Sequence, residues 1–153
     1  MNWDAIGAIA EMMGSLVVIL TVAYLAIQIR QTSKSAISVS TNQTRSAVTD
    51  VLGTISSDTE TVKAYTNGMR NRSDMQLHDR VRFDLIILQT LRVMETIFLE
   101  QRQGLVSQEV WEGQWRGEQS ILRTKGGRES WELQKTFVGK SFMEWVDANL
   151  DVD

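Results

Sequence analysis

Residues able to carry out chemistry are few in this chain, and their types exclude several classes of site. The sequence has no cysteine and one histidine, His78. Disulfides, thiolate nucleophiles and cysteine-ligated zinc or iron–sulfur sites are therefore excluded, and a multi-histidine metal site cannot form. Met75 lies three residues before His78, so the Glu-x-x-His element of a di-metal bundle is missing. We predict no catalytic residue, no metal site and no cofactor.

Glu11 is the residue whose sequence context most strongly indicates a functional role. It is the one charged residue in the apolar run of residues 5–27, AIGAIAEMMGSLVVILTVAYLAI. An ionisable group inside a membrane span costs a few kcal/mol, so it tends to face protein or water. Glu11 could therefore contact a neighbouring helix or line the central pathway of an oligomer. If the span begins at Met12 instead, Glu11 lies at the outer interface of the membrane.

Gly7 and Gly14 form a candidate face for helix association beside Glu11. They are seven residues apart and so lie on nearly one side of a helix. At about 100° per residue, Glu11 is about 40° from Gly7 and about 60° from Gly14. Because small residues let helices approach closely in lipid, we predict self-association through this face. The alternative is a lone anchor that simply tolerates small residues.

The remaining charged groups favour structural roles. Arg92 and Glu95 are three residues apart in a helical pattern and are predicted to pair. The segment Lys125-Gly-Gly-Arg128 lacks the phosphate-loop pattern and indicates a helix break. The net charge of −3 gives no general basis for nucleic-acid binding, and we predict no nucleic-acid partner.

The element that positions Glu11 is predicted to be a transmembrane helix over residues 1–29. At about 1.5 Å per residue, the apolar run spans about 34 Å, which exceeds a hydrocarbon core of about 30 Å. Trp3, Tyr24 and Arg30 flank it as interface anchors. A buried helix of a soluble protein is the alternative. The first four residues contain no Lys or Arg, which argues against a cleaved signal peptide.

The flanking charges predict the orientation of this helix. Asp4 is the one charge before the run, whereas Arg30, Lys34 and Arg45 follow it. The positive-inside rule therefore places the C-terminal side in the cytoplasm. We predict a single-pass protein of the inner (cytoplasmic) membrane with its N-terminus outside.

Composition and periodicity divide the rest of the chain. The 153 residues include no proline, which favours long helices. Residues 30–56 are rich in Ser and Thr but keep apolar residues at a helical spacing, which predicts an amphipathic stalk that continues the membrane helix. A flexible linker is the alternative, because Ser and Thr are only moderate helix formers. Residues 57–153 are predicted to form a cytoplasmic bundle of about five helices, so the fold class is all-α.

Capping residues and glycines predict the helix boundaries within the bundle. Four tryptophans are predicted to form a core seam, with an aromatic ligand pocket as the alternative; they are Trp111, Trp115, Trp131 and Trp145. The predicted boundaries are a capping box at Ser57–Glu60 with a stop at Asn67-Gly68, a central and most buried helix from Gln76 to Gln103 that stops at Gly104, a helix capped by Ser107 and broken at Lys125-Gly-Gly127, a short helix from Glu129 to Phe137, and a last helix capped by Ser141.

Several strings along the chain carry a resemblance to a known family. They are GAIAEMMGSLVVILTVAYLAIQIRQ, which contains Glu11, and RFDLIILQTLRVMETIF, GLVSQEVWEG, GGRESWE and FMEWVDANL. On these strings the chain resembles uncharacterised bacterial single-span membrane proteins with a C-terminal cytoplasmic helical domain. It departs where the long helix starts, because Gln76-Leu77 replaces the Thr-Pro that the family often has. The resemblance implies the topology given above and no activity.

Two classes of function follow from the sequence. The first is a non-enzymatic, single-span membrane protein that self-associates and presents its helical domain as a scaffold or to an unidentified protein partner. The alternative is a homo-oligomeric channel or transport component with Glu11 facing a central pathway. The implied partners are the lipid bilayer and further copies of the chain. An enzyme is the least favoured class, because no catalytic constellation occurs in the sequence.

Overall fold

A computed structural model describes the backbone of residues 3–152, and the surface exposure of Gly7 and of residues 11–152. Residues 3–152 contain no strand. The all-α prediction is confirmed, since one long apolar N-terminal helix precedes a bundle of five shorter helices. The helices are α1 (Trp3–Ser56), α2 (Thr59–Arg70), α3 (Leu77–Arg102), α4 (Gln108–Leu122), α5 (Lys125–Gln134) and α6 (Lys140–Asn149), with short 3₁₀ turns at Arg72–Asp74 and Lys135–Phe137.

The chain consists of two compact units, residues 1–38 and residues 39–153. Helix α1 is helical through all of the predicted stalk, so the flexible-linker alternative is wrong. Within the second unit, the last turns of α1 belong to the bundle, because Ser40, Thr44 and Val51 are buried there. The functional boundaries at residues 29 and 56 stay predictions.

Side-chain caps explain where two of the bundle helices begin. The carboxylate of Asp58 accepts a hydrogen bond from the Thr61 backbone N–H at 2.9 Å, so Asp58 and not Ser57 is the N-cap of α2. The Ser107 hydroxyl accepts from the Val110 N–H at 3.4 Å, which confirms Ser107 as the cap of α4. The predicted span of α3 is also confirmed, and Gly104 beyond it has φ +74°, a left-handed conformation suited to glycine.

Three further predicted helix boundaries are wrong, and tertiary packing gives the reason for two of them. Helix α2 continues through Gly68 to Arg70, because Gly68 lies against the Phe83 ring where a Cβ atom would overlap it. Helix α5 begins at Lys125, not at Glu129, so Gly126 and Gly127 lie inside its first turn. A Cβ on Gly126 would overlap the backbone carbonyl of Gly68. The absence of side chains at Gly68 and Gly126 therefore lets α2 and α5 approach closely.

The third correction concerns the last helix. Helix α6 begins at Lys140 with Gly139 before it, so Ser141 is not its cap. The Gly139 N–H instead donates to the Glu95 carboxylate on α3 at 2.6 Å. The start of α6 is therefore tied to the central helix by a long-range hydrogen bond.

The core is built around α3 and the predicted tryptophan seam. Trp111, Trp115 and Trp131 are buried, and Trp145 is half-buried with its ring centroid 4.9 Å from that of Trp111 and 4.7 Å from that of Trp115. The seam prediction is confirmed. The buried α3 residues are Phe83, Ile86, Ile87, Leu91, Met94, Ile97 and Phe98, whereas Val81, Leu85 and Leu99 of the same helix are exposed.

Ion pairs and hydrogen bonds hold the bundle together at its polar positions. Arg72 donates two hydrogen bonds of 2.6 Å to the carboxylate of Asp84, and Gln134 donates to the Asp84 backbone carbonyl at 3.0 Å. Arg92 and Glu95 form the predicted ion pair at 3.0 Å. These contacts engage Arg72 and Arg92 in the structure of the bundle.

Candidate functional site

The apolar part of α1 is exposed along its whole described length. Every residue from Glu11 to Val39 is exposed, and the exposed fractions of the large hydrophobic side chains between Met12 and Ile29 range from 49% to 72%. The helix contains an 18-residue stretch apolar enough to cross a membrane, and none of that stretch is buried inside the protein. The core helix of a soluble protein can be as long and as apolar, but it buries most of its apolar residues.

The predicted site residues of α1 keep open surroundings in the structure. Gly7 and Gly14 have space for a Cβ atom, with nothing within 4 Å. The Glu11 side chain is exposed on the same helix, and the Tyr24 hydroxyl accepts from the Gln28 amide at 2.7 Å. Arg30 is exposed at the end of the apolar run. The side chain of Trp3, the other predicted anchor, lies outside the described residues.

The structure identifies a second glutamate, Glu118, as a candidate site residue that was not predicted from the sequence. It lies on α4 with only 4% of its surface exposed, and its Oε1 atom has no hydrogen-bond partner among the described residues. A buried carboxyl oxygen without a hydrogen-bond partner is rare, because burial removes the water that would solvate it. The signal for it is the helical period, since Trp111, Trp115, Glu118 and Leu122 follow one another on the buried face of α4.

Glu118 lines a cavity of about 190 Å³ inside the second unit. Aliphatic side chains of α1 between Val48 and Ile55 form one wall, and Val93 and Met94 of α3 form another. Polar groups enter from three helices, with Tyr65 from α2, Thr90 from α3, and Gln114 and Glu118 from α4. The cavity is thus largely apolar with a few polar groups near the buried carboxyl, the arrangement typical of small-molecule sites.

Burial shifts the ionisation of the two acidic groups at this cavity. Loss of solvation raises the pKa of Glu118 from 4.5 to about 8, so its carboxyl is mainly neutral at pH 7. Burial, and then the nearby charge of Glu118, raise the pKa of Tyr65 to about 12. Perturbed carboxyls in cavities are common at functional sites.

Hydrogen bonds to Glu100 join α1 to α3 within the second unit. Glu100 accepts hydrogen bonds from the hydroxyls of Ser40 at 2.8 Å and Thr44 at 3.3 Å. Both hydroxyl residues are buried and come from the segment that is rich in Ser and Thr. The contact explains why Ser40 and Thr44 are polar although buried, since their hydroxyls satisfy a carboxylate on the central helix.

Comparison with known proteins adds no relative to these observations. No protein-family model, no curated protein and no solved structure matches the chain. The resemblance to bacterial single-span proteins therefore stays a prediction.

Proposed function

We propose that the protein is a non-enzymatic, single-span protein of the bacterial inner membrane that self-associates and presents its helical domain in the cytoplasm as a scaffold or partner-binding module. The observation that carries this proposal is that none of the described apolar stretch of α1 is buried, while the second unit has its own hydrophobic core. An apolar helix exposed on all sides requires an apolar surrounding, and a bilayer supplies one.

The composition of the two units supports the division of roles. Between Met12 and Ile29 no residue is charged, whereas residues 39–153 contain the tryptophan seam and the ion pairs described above. Arg30 and Lys34 follow the apolar run immediately and favour the cytoplasmic side for the bundle.

Membrane insertion and orientation are tested with single cysteines, because the native chain has none to interfere. In intact bacterial cells a membrane-impermeant maleimide should label Asn2→Cys and leave Ser57→Cys unlabelled. Both variants should be labelled after permeabilisation, which is the control for accessibility. Alkaline carbonate washing should leave the chain in the membrane fraction. Release by carbonate would contradict the anchor, and labelling of Ser57→Cys in intact cells would contradict the orientation.

Self-association through the Gly7/Gly14 face is tested by enlarging that face. We expect wild type in mild detergent to be a homo-oligomer and Gly14→Leu to be mainly monomeric by light scattering, because the added side chain separates the helices. The matched control is Ala23→Leu, which adds bulk about 180° away around the helix. A monomeric wild type, or equal effects of the two substitutions, would contradict self-association through this face.

The second candidate function is an oligomeric channel or transport component. It is favoured by Glu11, an exposed carboxyl on the apolar helix beside the predicted association face. In that case liposomes containing wild type should conduct cations, and Glu11→Gln should conduct less because the ring of charge is lost. Equal absence of flux from wild type and variant favours the scaffold.

A further inference from the structure

We propose that the cavity lined by Glu118 binds a small organic amine as its ammonium cation, with the amine beside the Glu118 carboxylate and a short apolar body against the walls from α1 and α3. The cavity lies entirely within residues 39–153. The inference is thus independent of the membrane role of α1.

The chemistry of the carboxyl selects the head group of the ligand. Glu118 is 4% exposed and its Oε1 atom has no partner in the described part of the chain, so an acceptor stands ready for a donor that the protein does not supply. A cationic N–H donor gives the strongest hydrogen bond to a carboxylate. The Thr90 hydroxyl already donates to the Ile86 carbonyl at 2.9 Å, so toward the cavity it offers an acceptor, which also suits an ammonium group.

The lining residues disfavour the opposite class of ligand. Among the described residues that line the cavity there is no lysine, arginine or histidine. An anionic ligand would therefore meet Glu118 with no compensating positive charge, and its burial would be costly. The titratable group that faces Glu118 from a neighbouring helix is Tyr65, because the lining residues of α1 and α3 carry no ionisable side chain.

The size and walls of the cavity select the body of the ligand. A volume of about 190 Å³ exceeds the roughly 150 Å³ of an engineered apolar cavity that holds benzene. The wall residues Val48, Val51, Val93 and Met94 are apolar and favour a hydrocarbon body. A ring or short chain with one amine, such as benzylamine, matches both properties.

The test is calorimetric titration of the full chain in nanodiscs with benzylamine, with benzyl alcohol as the uncharged isostere. At about pH 6.5 Glu118 is mainly protonated in the empty cavity, so binding of the ammonium form should release about one proton per amine, measured as buffer-dependent heat. We expect Glu118→Gln to weaken benzylamine binding by about tenfold or more and to abolish the proton release. The matched control is Glu112→Gln, an exposed glutamate of the same helix, which should bind as wild type does.

The binding and proton-release measurements can support or overturn the proposal. Tighter binding of benzylamine than of benzyl alcohol, with proton release that Glu118→Gln removes, supports the proposal. Equal binding of the two compounds, binding unchanged in Glu118→Gln, or no saturable heat from folded wild type overturns it. Partition of the amine into lipid appears equally in wild type and both variants, and is subtracted by comparing them.

Discussion

The substitution Gly126→Ala is expected to prevent the helical domain from folding stably. A Cβ atom on Gly126 would overlap the carbonyl oxygen of Gly68, and backbone on both sides leaves no flexible side chain to move away. Overpacking typically costs about 1–3 kcal/mol, and an overlap with backbone is expected at the upper end of that range, a large part of the roughly 5–15 kcal/mol that stabilises a typical domain. Denaturant unfolding of the full chain in detergent, followed by tryptophan fluorescence, measures the loss.

The matched control is Gly113→Ala on the exposed face of α4. Nothing lies within 4 Å of a Cβ atom built at Gly113, and its backbone is helical. Alanine should therefore raise the free energy of unfolding by about 0.5–1 kcal/mol, because glycine is the poorer helix former. Similar unfolding curves for the two variants would show that α2 and α5 do not need the glycines for their close approach.

The opposite effects expected at Gly113 and Gly126 illustrate which features of the fold can be predicted from the sequence and which cannot. The long α3 helix, the Ser107 cap and the tryptophan seam follow from local spacing and were predicted. Gly68 and Gly126 were interpreted as helix stops, because glycine at a helix end and glycine at a helix crossing look alike in the sequence. Their role depends on which helices meet, and that is decided by contacts between residues far apart in the chain.

Glu11 and Glu118 also differ in how far the sequence alone identifies them as candidate site residues. Glu11 is conspicuous in sequence because an acid interrupts an apolar run, and its significance depends on an apolar environment. Glu118 is surrounded in sequence by Gln114, Gln119 and other polar residues, so its immediate neighbours do not mark it as buried. Its burial arises because α1 and α3 pack over that side of α4. The helical period from Trp111 to Leu122 indicates its face, but it does not reveal the cavity or the missing hydrogen-bond partner.

Stability should fall as the pH rises, with Glu118 as the cause. Its pKa is about 8 in the folded state and near the ordinary 4.5 in the unfolded chain. Between these values the folded state holds a proton that the unfolded state has released, so the free energy of unfolding falls by up to about 1.4 kcal/mol per pH unit. The total loss should be of the order of a few kcal/mol, complete above about pH 8, because a charged carboxylate is then held in a buried site.

The shifted pKa values of Asp58 and Tyr65 lie outside the pH range in which Glu118 is expected to change the stability. The pKa of Asp58 is lowered to about 2, chiefly by hydrogen bonds from Thr61, so its stabilising effect is lost only in acid. The pKa of Tyr65 is raised to about 12, so its effect begins only above its ordinary value of 10. Denaturant unfolding of the full chain from about pH 5 to pH 8 should therefore show a steep decline in wild type and in Glu112→Gln, and little decline in Glu118→Gln. A decline of equal slope in Glu118→Gln would mean that Glu118 is already ionised, or solvated, in the folded protein, and that the cavity does not hold a neutral carboxyl.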